Sequence, residues 1–212
     1  SSRSPDARPY IHEEFMETWQ AMEELVREGL VRHIGTSNMT VPKLKLLLDS
    51  CSIRPAVNEM ELHPCFQQTA FRSYLAEQGI IPIGYSPLGS PNRPERDTTS
   101  EDVVDMEHPI VVELARKHNV HPASICLKWA RGNGIVPIPQ STKERNLRSN
   151  LESVLGDPLS KEELMLLERA ECNNRLIKGQ VFLWKEADSW HDLWDEEGTI
   201  PCPENYRRGG KR

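Results

Sequence analysis

The first long segment of the chain places its apolar residues at the spacing of an amphipathic helix. The segment begins near Glu13, and its apolar side chains fall on one helical face. Gly29 follows the last of them, and a glycine at this place is typical of a helix end. The face consists of Phe15, Met16, Trp19, Met22, Leu25 and Val26. The pattern therefore predicts a helix over residues 13–29.

Short runs of β-forming residues alternate with helical segments in the rest of the chain. Predicted strands cover residues 32–36, 55–60, 80–86 and 135–141. Predicted helices cover residues 41–50, 67–78, 108–120, 121–134, 143–154 and 160–172. Thr40 is the predicted cap of the helix that follows it, and Ser160 with Glu163 forms a Ser-x-x-Glu capping box. Residues 91–107 are polar and contain proline, which predicts a loop.

The predicted strands are apolar on both faces, as in a parallel sheet that is covered by helices. No G-x-G-x-x-G follows any of them, which disfavours a Rossmann dinucleotide site. Repeated strand–helix units with polar residues after the strands favour an α/β fold of the (β/α)8 TIM-barrel type. Such a barrel has eight strands, and the sequence predicts only four.

Composition and charge narrow the possible functions. The chain has 212 residues, of which 27% are charged and 37% hydrophobic, and its net charge is -6. This composition is typical of a soluble globular protein and disfavours nucleic-acid binding through a basic surface. No apolar run approaches the roughly 18 to 20 residues that span a bilayer, and no signal peptide is visible. The five scattered cysteines lack zinc spacing, so we expect reduced thiols, no metal and a cytoplasmic location.

Polar residues follow all four predicted strands, where a barrel has its mouth. They are Thr36-Ser37-Asn38, Asn58-Glu59 with Glu61-Leu62-His63-Pro64, Tyr85-Ser86-Pro87-Leu88-Gly89, and Gln140-Ser141-Thr142. Hydroxyls and amides beside an aromatic ring suit a planar amide such as nicotinamide. Ser141 and Thr142 precede a helix, whose N-terminus attracts phosphate. The residues alone leave two interpretations open, which are a nicotinamide nucleotide site and ordinary strand ends.

Four motifs add a family resemblance, and they occur in register with the predicted strands. They are "GLVRHIGTSN", "VNEMELHP", "GIIPIGYSPLGSP" and "GIVPIPQST". In this order they resemble the second half of an aldo-keto reductase, from about residue 12 to residue 175. The resemblance implies one partial barrel domain over residues 1–212, with about the last four βα units present. Residues 1–11 would form a leading loop, and residues 176–212 the C-terminal substrate loop and tail.

The resemblance also implies an NADP(H) site, with NAD(H) as a possible alternative. In this family the Ser-Asn pair holds the carboxamide of nicotinamide, the tyrosine of "YSPLG" stacks on its ring, and the following small residues enclose the pyrophosphate. The turn after the last strand holds the adenosine 2′-phosphate. The implied cofactor-binding residues are Ser37, Asn38, Glu59, Tyr85, Ser86, Leu88, Ser90, Gln140, Ser141, Thr142, Lys143, Arg145 and Asn150.

Three positions depart from the family pattern. Glu59 stands where glutamine is common, and a carboxylate accepts hydrogen bonds but cannot donate one to the carboxamide oxygen. Gln140 stands where lysine is common, so another cation has to neutralise a 2′-phosphate. Asn92 stands where an acidic residue often latches the pyrophosphate loop. The candidate replacement cations are Lys143, Arg145 and Arg148.

The family's catalytic Tyr, Lys, Asp and His lie on the first four strands and the loops after them, and none of them matches a residue of this chain. We therefore expect a fragment of a longer, monomeric reductase that acts on small aldehydes or ketones. The fragment alone would be inactive, and also unstable or oligomeric because its sheet edges are open. Trp184 and Trp190 are candidate substrate-pocket residues, although they and Trp194 would equally suit simple packing.

Other functions are disfavoured but remain open from the sequence. A non-catalytic, nucleotide-binding regulatory subunit of the same fold would differ from the enzyme only in the residues that precede this chain. A hydrolase using Glu59 and Glu61 as an acid–base pair has no other supporting residue. His63 is interpreted as a strand-end residue whose ring caps local backbone groups. His12, His108, His121 and His191 are interpreted as surface residues.

Overall fold

The computed structural model describes residue 4, residues 6–90, residue 93 and residues 98–201. Within this part of the chain, two compact units can be distinguished. The smaller consists of the described residues of 1–56 and 178–212, and the larger consists of those of 57–177. Much of the predicted leading loop is described, whereas Asn92 and the end of the predicted tail lie outside the described residues.

The smaller unit contains two helices and one strand. Helix α1 is His12–Arg27, strand β1 is Gly35–Ser37 and helix α2 is Val41–Ser50. Gly29 follows α1 with a φ of 72°, a left-handed conformation that glycine adopts without strain. The Leu30 amide then donates back to the Leu25 carbonyl oxygen at 3.0 Å, which closes the helix end. The helix predicted over residues 13–29 is therefore confirmed, and its end lies two residues before Gly29.

The core of the smaller unit lies between its helices. Trp19 of α1 and Leu44 and Leu47 of α2 are buried, and the Trp19 indole donates to the Ile53 carbonyl oxygen at 3.1 Å. Glu23 is buried beside them and accepts the amides of residues 52 and 53, each at 2.8 Å. Although burial opposes it, these donors and Arg27 keep the pKa of Glu23 below its usual value. The carboxylate thus joins α1 to the segment after α2.

The segment after residue 178, which has no clear period in sequence, forms two short 3-10 helices in the smaller unit. They are Gln180–Phe182 and Trp190–Trp194. The second begins with a capping box, in which Ser189 and Asp192 satisfy each other's backbone amides. Helices of three to five residues are too short to show a period in sequence, which is why the pattern of the tail predicts no element there.

The larger unit is built on a parallel sheet. Strand β2 is Val57–Glu61, β3 is Ile81–Tyr85 and β4 is Val136–Pro137. Strand β3 pairs in parallel with both neighbours, so that Glu61 lies opposite Tyr85 and Ile83 opposite Val136. The predicted parallel pairing is confirmed. Strand β4 is shorter than predicted, because Pro137 and Pro139 lack the backbone N–H that a longer ladder needs.

Five helices accompany these strands in the larger unit. They are α3 (Thr69–Gln78), α4 (Pro109–Lys117), α5 (Pro122–Gly132), α6 (Glu144–Leu155) and α7 (Lys161–Glu168). The capping box of Ser160 and Glu163 is present at the start of α7, as predicted. His108 and His121 precede the prolines that open α4 and α5, and the ring Nδ1 of each accepts a backbone amide. These two histidines are therefore helix caps, which their interpretation as surface residues did not include.

The larger unit leaves several large apolar side chains exposed. Ile81, Val136 and Ile138 are 43 to 50% exposed, and Leu147, Leu151 and Leu155 of α6 are 50 to 72% exposed. The three leucines are four residues apart, so they form one stripe along the helix. Contiguous apolar surface of this kind favours self-association. That the chain self-associates stays a prediction.

Candidate functional site at the strand ends of the larger unit

Strand β3 ends at Tyr85, and a tight turn follows it. The Gly89 amide donates to the Ser86 carbonyl oxygen at 2.9 Å, and the Ser90 hydroxyl donates to the Ser86 hydroxyl at 2.8 Å. Ser86, Gly89 and Ser90 all have positive φ angles, of 51°, 76° and 40°. Successive residues in left-handed and neighbouring conformations turn backbone amides toward one side, which is the geometry that holds anions. The turn that the sequence predicted after Tyr85 is therefore present.

Tyr85 itself is half-buried at the end of β3. Burial, followed by the negative charge of Glu61, raises the pKa of its hydroxyl above the usual value. The hydroxyl is therefore protonated and neutral at physiological pH. A neutral aromatic side chain at this place suits a flat ligand, since stacking uses the face of the ring and requires no ionisation.

Gly89 has a second reason to be glycine besides its backbone angle. A Cβ atom at this position would lie 2.2 Å from Oδ2 of Asp105, which is far below any tolerated contact. Asp105 begins the 3-10 helix Asp105–Glu107 and is fully buried. The turn after β3 therefore packs its backbone directly on a buried carboxylate, and only glycine allows this approach.

The same carboxylate takes part in a cluster at the end of β2, which we call the β2-end cluster and define as Glu61, His63 and Asp105. His63 Nδ1 lies 2.9 Å from Asp105 Oδ1, and His63 Nε2 lies 3.1 Å from Glu61 Oε1. All three side chains are fully buried. Carboxylates only accept hydrogen bonds, so both ring nitrogens of His63 donate and the ring is an imidazolium.

The surroundings of His63 favour its protonated, charged form. Burial alone disfavours the charged ring, but hydrogen bonds to Asp105 and Glu61 outweigh it and raise the pKa of His63 to about 9. The interpretation of His63 as a cap on local backbone groups is therefore wrong, because its ring contacts two carboxylates. The reason is burial: a strand-end histidine without solvent needs acceptors for both ring N–H groups, and carboxylates provide them.

The carboxylates of the cluster also hold the backbone. Glu61 accepts the amides of Leu176 and Ile177 at 2.7 and 2.9 Å, and Asp105 Oδ1 accepts the Cys65 amide at 2.8 Å. Hydrogen bonds from several backbone amides hold these carboxylates in a structural role. They are therefore not available for acid–base chemistry on a ligand. Glu59, two residues earlier, is half-buried and does not belong to the cluster. The structure therefore gives no support to a Glu59–Glu61 hydrolase pair.

The predicted phosphate-binding residues lie at the start of α6 and are accessible. Gln140, Thr142, Lys143 and Arg145 are exposed, while Ser141 and Asn150 are half-buried. The Ser141 hydroxyl accepts the Lys143 amide at 3.2 Å, which fixes the turn before the helix. Arg148 pairs with Glu144 at 3.0 Å, one turn into the helix. We call the exposed start of this helix, residues 140–145, the α6 entrance.

The smaller unit carries the remaining predicted site residues. Ser37 ends β1 and Asn38 follows it with a φ of 56°, and both side chains are exposed. Trp184 is buried with Leu183 and Ala187, and Trp190 packs against this group. The two tryptophans thus form an apolar cluster within the unit, as the packing interpretation predicted. Trp184 also lines a cavity, whereas Trp190 does not.

The cavity of the smaller unit has a volume of about 200 Å³. Its polar wall contains Tyr10, Lys43 and Asp195. Asp195 is 3.1 Å from the Lys43 ammonium and also accepts a hydrogen bond from the Thr40 hydroxyl. Thr40 does occupy the cap position of α2, but its side chain accepts no backbone amide there, and its hydroxyl donates to Asp195. The predicted side-chain cap at Thr40 is therefore wrong.

No group of three or more His, Cys, Asp or Glu side chains in the described part of the chain has the geometry to hold a metal ion. No helix among the described residues is both long and apolar enough to cross a bilayer. Cys51, Cys65, Cys126 and Cys172 are present as free thiols, whereas Cys202 lies outside the described residues.

Asp105 is a site residue that the sequence did not single out, and Gly89 was named only as part of a strand end without a role of its own. Gly89 carried a signal, since a glycine directly after Ser-Pro-Leu predicts a turn with a positive φ angle. No sequence pattern indicated a role for Asp105, because it lies at the end of a polar segment interpreted as a loop. Its partners, His63 and Cys65, are forty residues away in sequence.

The larger unit thus has a parallel sheet with an aromatic residue and a tight turn at its strand ends, followed by an exposed helix start. In α/β proteins, ligands bind at strand ends of this kind. Comparison with known proteins gives the family. The sequence pattern of the Aldo/keto reductase family matches residues 5–171. Three relatives illustrate the similarity. Glycerol 2-dehydrogenase (NADP(+)) of Hypocrea jecorina is 40% identical over 199 residues, which are 91% of this chain and 58% of that protein.

Two further relatives come from other organisms. The 9,11-endoperoxide prostaglandin H2 reductase of Trypanosoma cruzi (strain CL Brener) is 36% identical over 162 residues, which are 76% of this chain and 54% of that protein. Aldo-keto reductase family 1 member A1-A of Danio rerio is 33% identical over 195 residues, which are 89% of this chain and 59% of that protein. The chain belongs to the aldo/keto reductase family, and it spans between 54% and 59% of the length of these relatives.

Proposed function

We propose that the protein is part of a nicotinamide-nucleotide-dependent oxidoreductase that reduces the carbonyl group of small aldehydes or ketones to an alcohol. The observation that carries this proposal is the family match over residues 5–171, which includes all four strand-end motifs. Relatives named as reductases and as an NADP(+) dehydrogenase support an enzyme over a regulatory subunit. The role that we assign to this chain is to bind and orient the cofactor.

In the larger unit, Tyr85 and Glu59 are assigned to the nicotinamide end of the cofactor. The ring of Tyr85 stacks on the nicotinamide face, and its neutral state supports this assignment. In the smaller unit, Ser37 and Asn38 are the residues that the family resemblance assigns to the carboxamide, and both side chains are exposed. Glu59 accepts a hydrogen bond from the carboxamide NH2 group, since a carboxylate has no proton to donate to the oxygen.

The phosphate groups are assigned to two turns of the larger unit. The turn after β3, with Ser86, Leu88 and Ser90, binds the pyrophosphate. Its left-handed residues and its paired hydroxyls support this role. The start of α6 binds the adenosine 2′-phosphate of NADP(H), where exposed amides and cations favour an anion. The residues assigned there are Gln140, Ser141, Thr142, Lys143, Arg145 and Asn150.

When bound, the cofactor would supply the hydride that reduces the carbonyl carbon. Tyr85 would hold the nicotinamide ring by stacking and so orient it toward the substrate. None of them is assigned to proton transfer. His63 is excluded from that role because both its ring nitrogens are engaged by carboxylates. Trp184 and Trp190 are assigned to the wall that contacts substrate.

Fluorescence titration of the purified protein with NADPH tests the proposal. We expect saturable quenching of tryptophan emission, with an affinity that falls about 10-fold or more in Tyr85→Ala, because base–aromatic stacking is worth roughly 1 to 3 kcal/mol. Tyr85→Phe keeps the ring and should retain the affinity. Tyr74→Ala, on α3 of the same unit, is the matched control and should bind as the parent protein does.

The choice between NADP(H) and NAD(H) is tested with the same assay. Combined replacement of Lys143 and Arg145 by alanine should weaken binding of NADPH and leave binding of NADH unchanged, because only NADPH carries the 2′-phosphate. If both nucleotides lose affinity equally, the assignment of this phosphate to the α6 entrance fails. If neither nucleotide binds to the parent protein, the cofactor role of this chain fails.

A further inference from the structure

Two cysteines of the larger unit are neighbours in space although they lie far apart in sequence. The Cys172 amide donates to the Cys65 carbonyl oxygen at 3.2 Å, and the Asn174 amide donates to the same oxygen at 3.1 Å. The Cys172 thiol is also among the groups that shift the pKa of Cys65, which agrees with this proximity. A direct backbone hydrogen bond brings the Cα atoms of the two cysteines near each other, and disulfides span Cα separations of roughly 4.4 to 6.8 Å.

The two thiols differ in their access to solvent. Cys172 is exposed, whereas Cys65 is fully buried. Burial, followed by the negative charge of Asp105, raises the pKa of the Cys65 thiol, so this thiol is inert toward reagents in solution. An exposed thiol next to a shielded one is the arrangement in which the first is oxidised and the second resolves it.

We propose that Cys65 and Cys172 form a reversible intramolecular disulfide when the protein meets hydrogen peroxide. In the first step the sulfur of Cys172 attacks one peroxide oxygen, the O–O bond breaks, and a sulfenic acid and water form. In the second step the sulfur of Cys65 attacks the sulfur of Cys172. The S–O bond breaks, and the hydroxide leaves as water with the proton of Cys65. The two thiols lose two electrons in total, and the peroxide gains them.

The bridge would change the larger unit at a defined place. It would fix residues 172–174 covalently to the turn that follows β2. This segment leads directly to Leu176 and Ile177, whose amides are held by Glu61. Cys65 in turn donates its amide to Asp105. The bridge therefore adds a covalent link beside the β2-end cluster, and it closes a loop of more than a hundred residues, for which the gain from restricting the unfolded chain is large.

Peptide mapping after peroxide treatment tests the proposal. Free thiols are alkylated, and the unfolded protein is cut by endoproteinase Glu-C without reduction. Cleavage after glutamate isolates Cys65 in residues 62–77 and Cys172 in residues 172–186, apart from every other cysteine. We expect these two peptides to be linked. The intact mass should fall by about 2 Da, which corresponds to the two lost hydrogens, and dithiothreitol should reverse both changes.

Variants separate the two steps. Cys172→Ser should abolish the link, and Cys65→Ser should leave Cys172 as a sulfenic acid that dimedone captures. Cys51→Ser is the matched control, since it removes a partly exposed thiol outside the pair and should keep the link. In guanidinium chloride the parent protein should lose its preference for this pairing.

Three outcomes would overturn the proposal. The first is Cys172 oxidised to sulfinic acid while Cys65 stays alkylated, which would mean that the buried thiol cannot resolve. The second is a link between either peptide and one that contains another cysteine. The third is equal linking in folded and unfolded protein, which would mean that the fold does not select the pair.

Discussion

Two polar regions of the larger unit follow strand ends and look alike in sequence, but they differ in the structure. The β2-end cluster is fully buried, and its three side chains hydrogen-bond with one another and with the backbone. The α6 entrance exposes its cations and amides to solvent. The first region therefore has the properties of an internal support, and the second those of a surface that can receive a ligand.

Burial and free hydrogen-bonding capacity decide how polar residues at strand ends should be interpreted. Hydroxyls, carboxylates and imidazoles after a strand predict a ligand site only where they keep free hydrogen-bonding capacity and access to solvent. His63 and Glu61 have neither, because both are fully buried and hydrogen-bonded. Mutations in the two regions should accordingly affect different properties, namely stability in the first region and nucleotide affinity in the second.

Removing a carboxylate from the cluster should have the largest effect. Asp105→Ala leaves the His63 ring with one acceptor and the Cys65 amide unpaired, so we expect a loss of about 3 to 5 kcal/mol in the free energy of unfolding. Glu144→Ala, at an exposed carboxylate of α6, is the matched control and should change it by less than about 0.5 kcal/mol. Urea titration measures both, and equal losses would remove the distinction between the regions.

The charge of His63 should make stability depend on pH. Its pKa is raised to about 9 in the folded protein from an ordinary value of 6.5, so the stabilisation is complete below pH 6.5 and lost as the pH rises through 9. The difference corresponds to about 3 kcal/mol. Urea midpoints between pH 6 and pH 10 should fall in the parent protein and fall less in His63→Gln. Parallel curves for the two proteins would show that His63 is not charged.

The close approach of the turn to Asp105 can be separated from backbone strain. Gly89 and Gly134 have φ angles of 76° and 70°, but a Cβ at Gly134 would meet nothing within 4 Å. Gly134→Ala should cost about 1 to 2 kcal/mol from its left-handed backbone. Gly89→Ala should cost about 1 to 3 kcal/mol more, because its Cβ overlaps the carboxylate. Equal costs in thermal or urea unfolding would mean that the turn moves away without penalty.

The smallest effect on stability is expected at the α6 entrance. Arg145→Ala removes an exposed side chain, so the free energy of unfolding should change by less than about 0.5 kcal/mol. Its affinity for NADPH should fall nonetheless, since the removed cation is assigned to the 2′-phosphate. A stability loss as large as that of Asp105→Ala would instead make this region a structural one.

Much of the fold follows from local sequence rules. Helices with capping residues or with glycine after the end, such as α1 and α7, have ends that depend on nearby residues alone. Parallel pairing was predictable because the strands are apolar on both faces. Strand β4 was overestimated, since the cost of two prolines within a ladder outweighs its β-forming composition.

The site was less predictable than the fold. The turn after Tyr85 follows from its own residues and was expected. The β2-end cluster could not be predicted, because it depends on a contact between His63 and Asp105, which is 42 positions away, and no local sequence pattern indicates such a contact. The Cys65–Cys172 pair is hidden for the same reason, with an even longer separation. Resemblance to a family assigns ligand contacts, but it does not reveal which polar residues are already engaged in hydrogen bonds within the protein.

Hydrogen–deuterium exchange of the protein with and without NADPH tests the central claim most directly. The claim is that the turn after β3 and the α6 entrance receive the nucleotide, while the β2-end cluster supports them from inside. We predict slower exchange in residues 85–90 and 141–147 when NADPH is bound, and no change in residues 61–66. Slower exchange in residues 61–66 alone, or no change anywhere at saturating NADPH, would contradict the account.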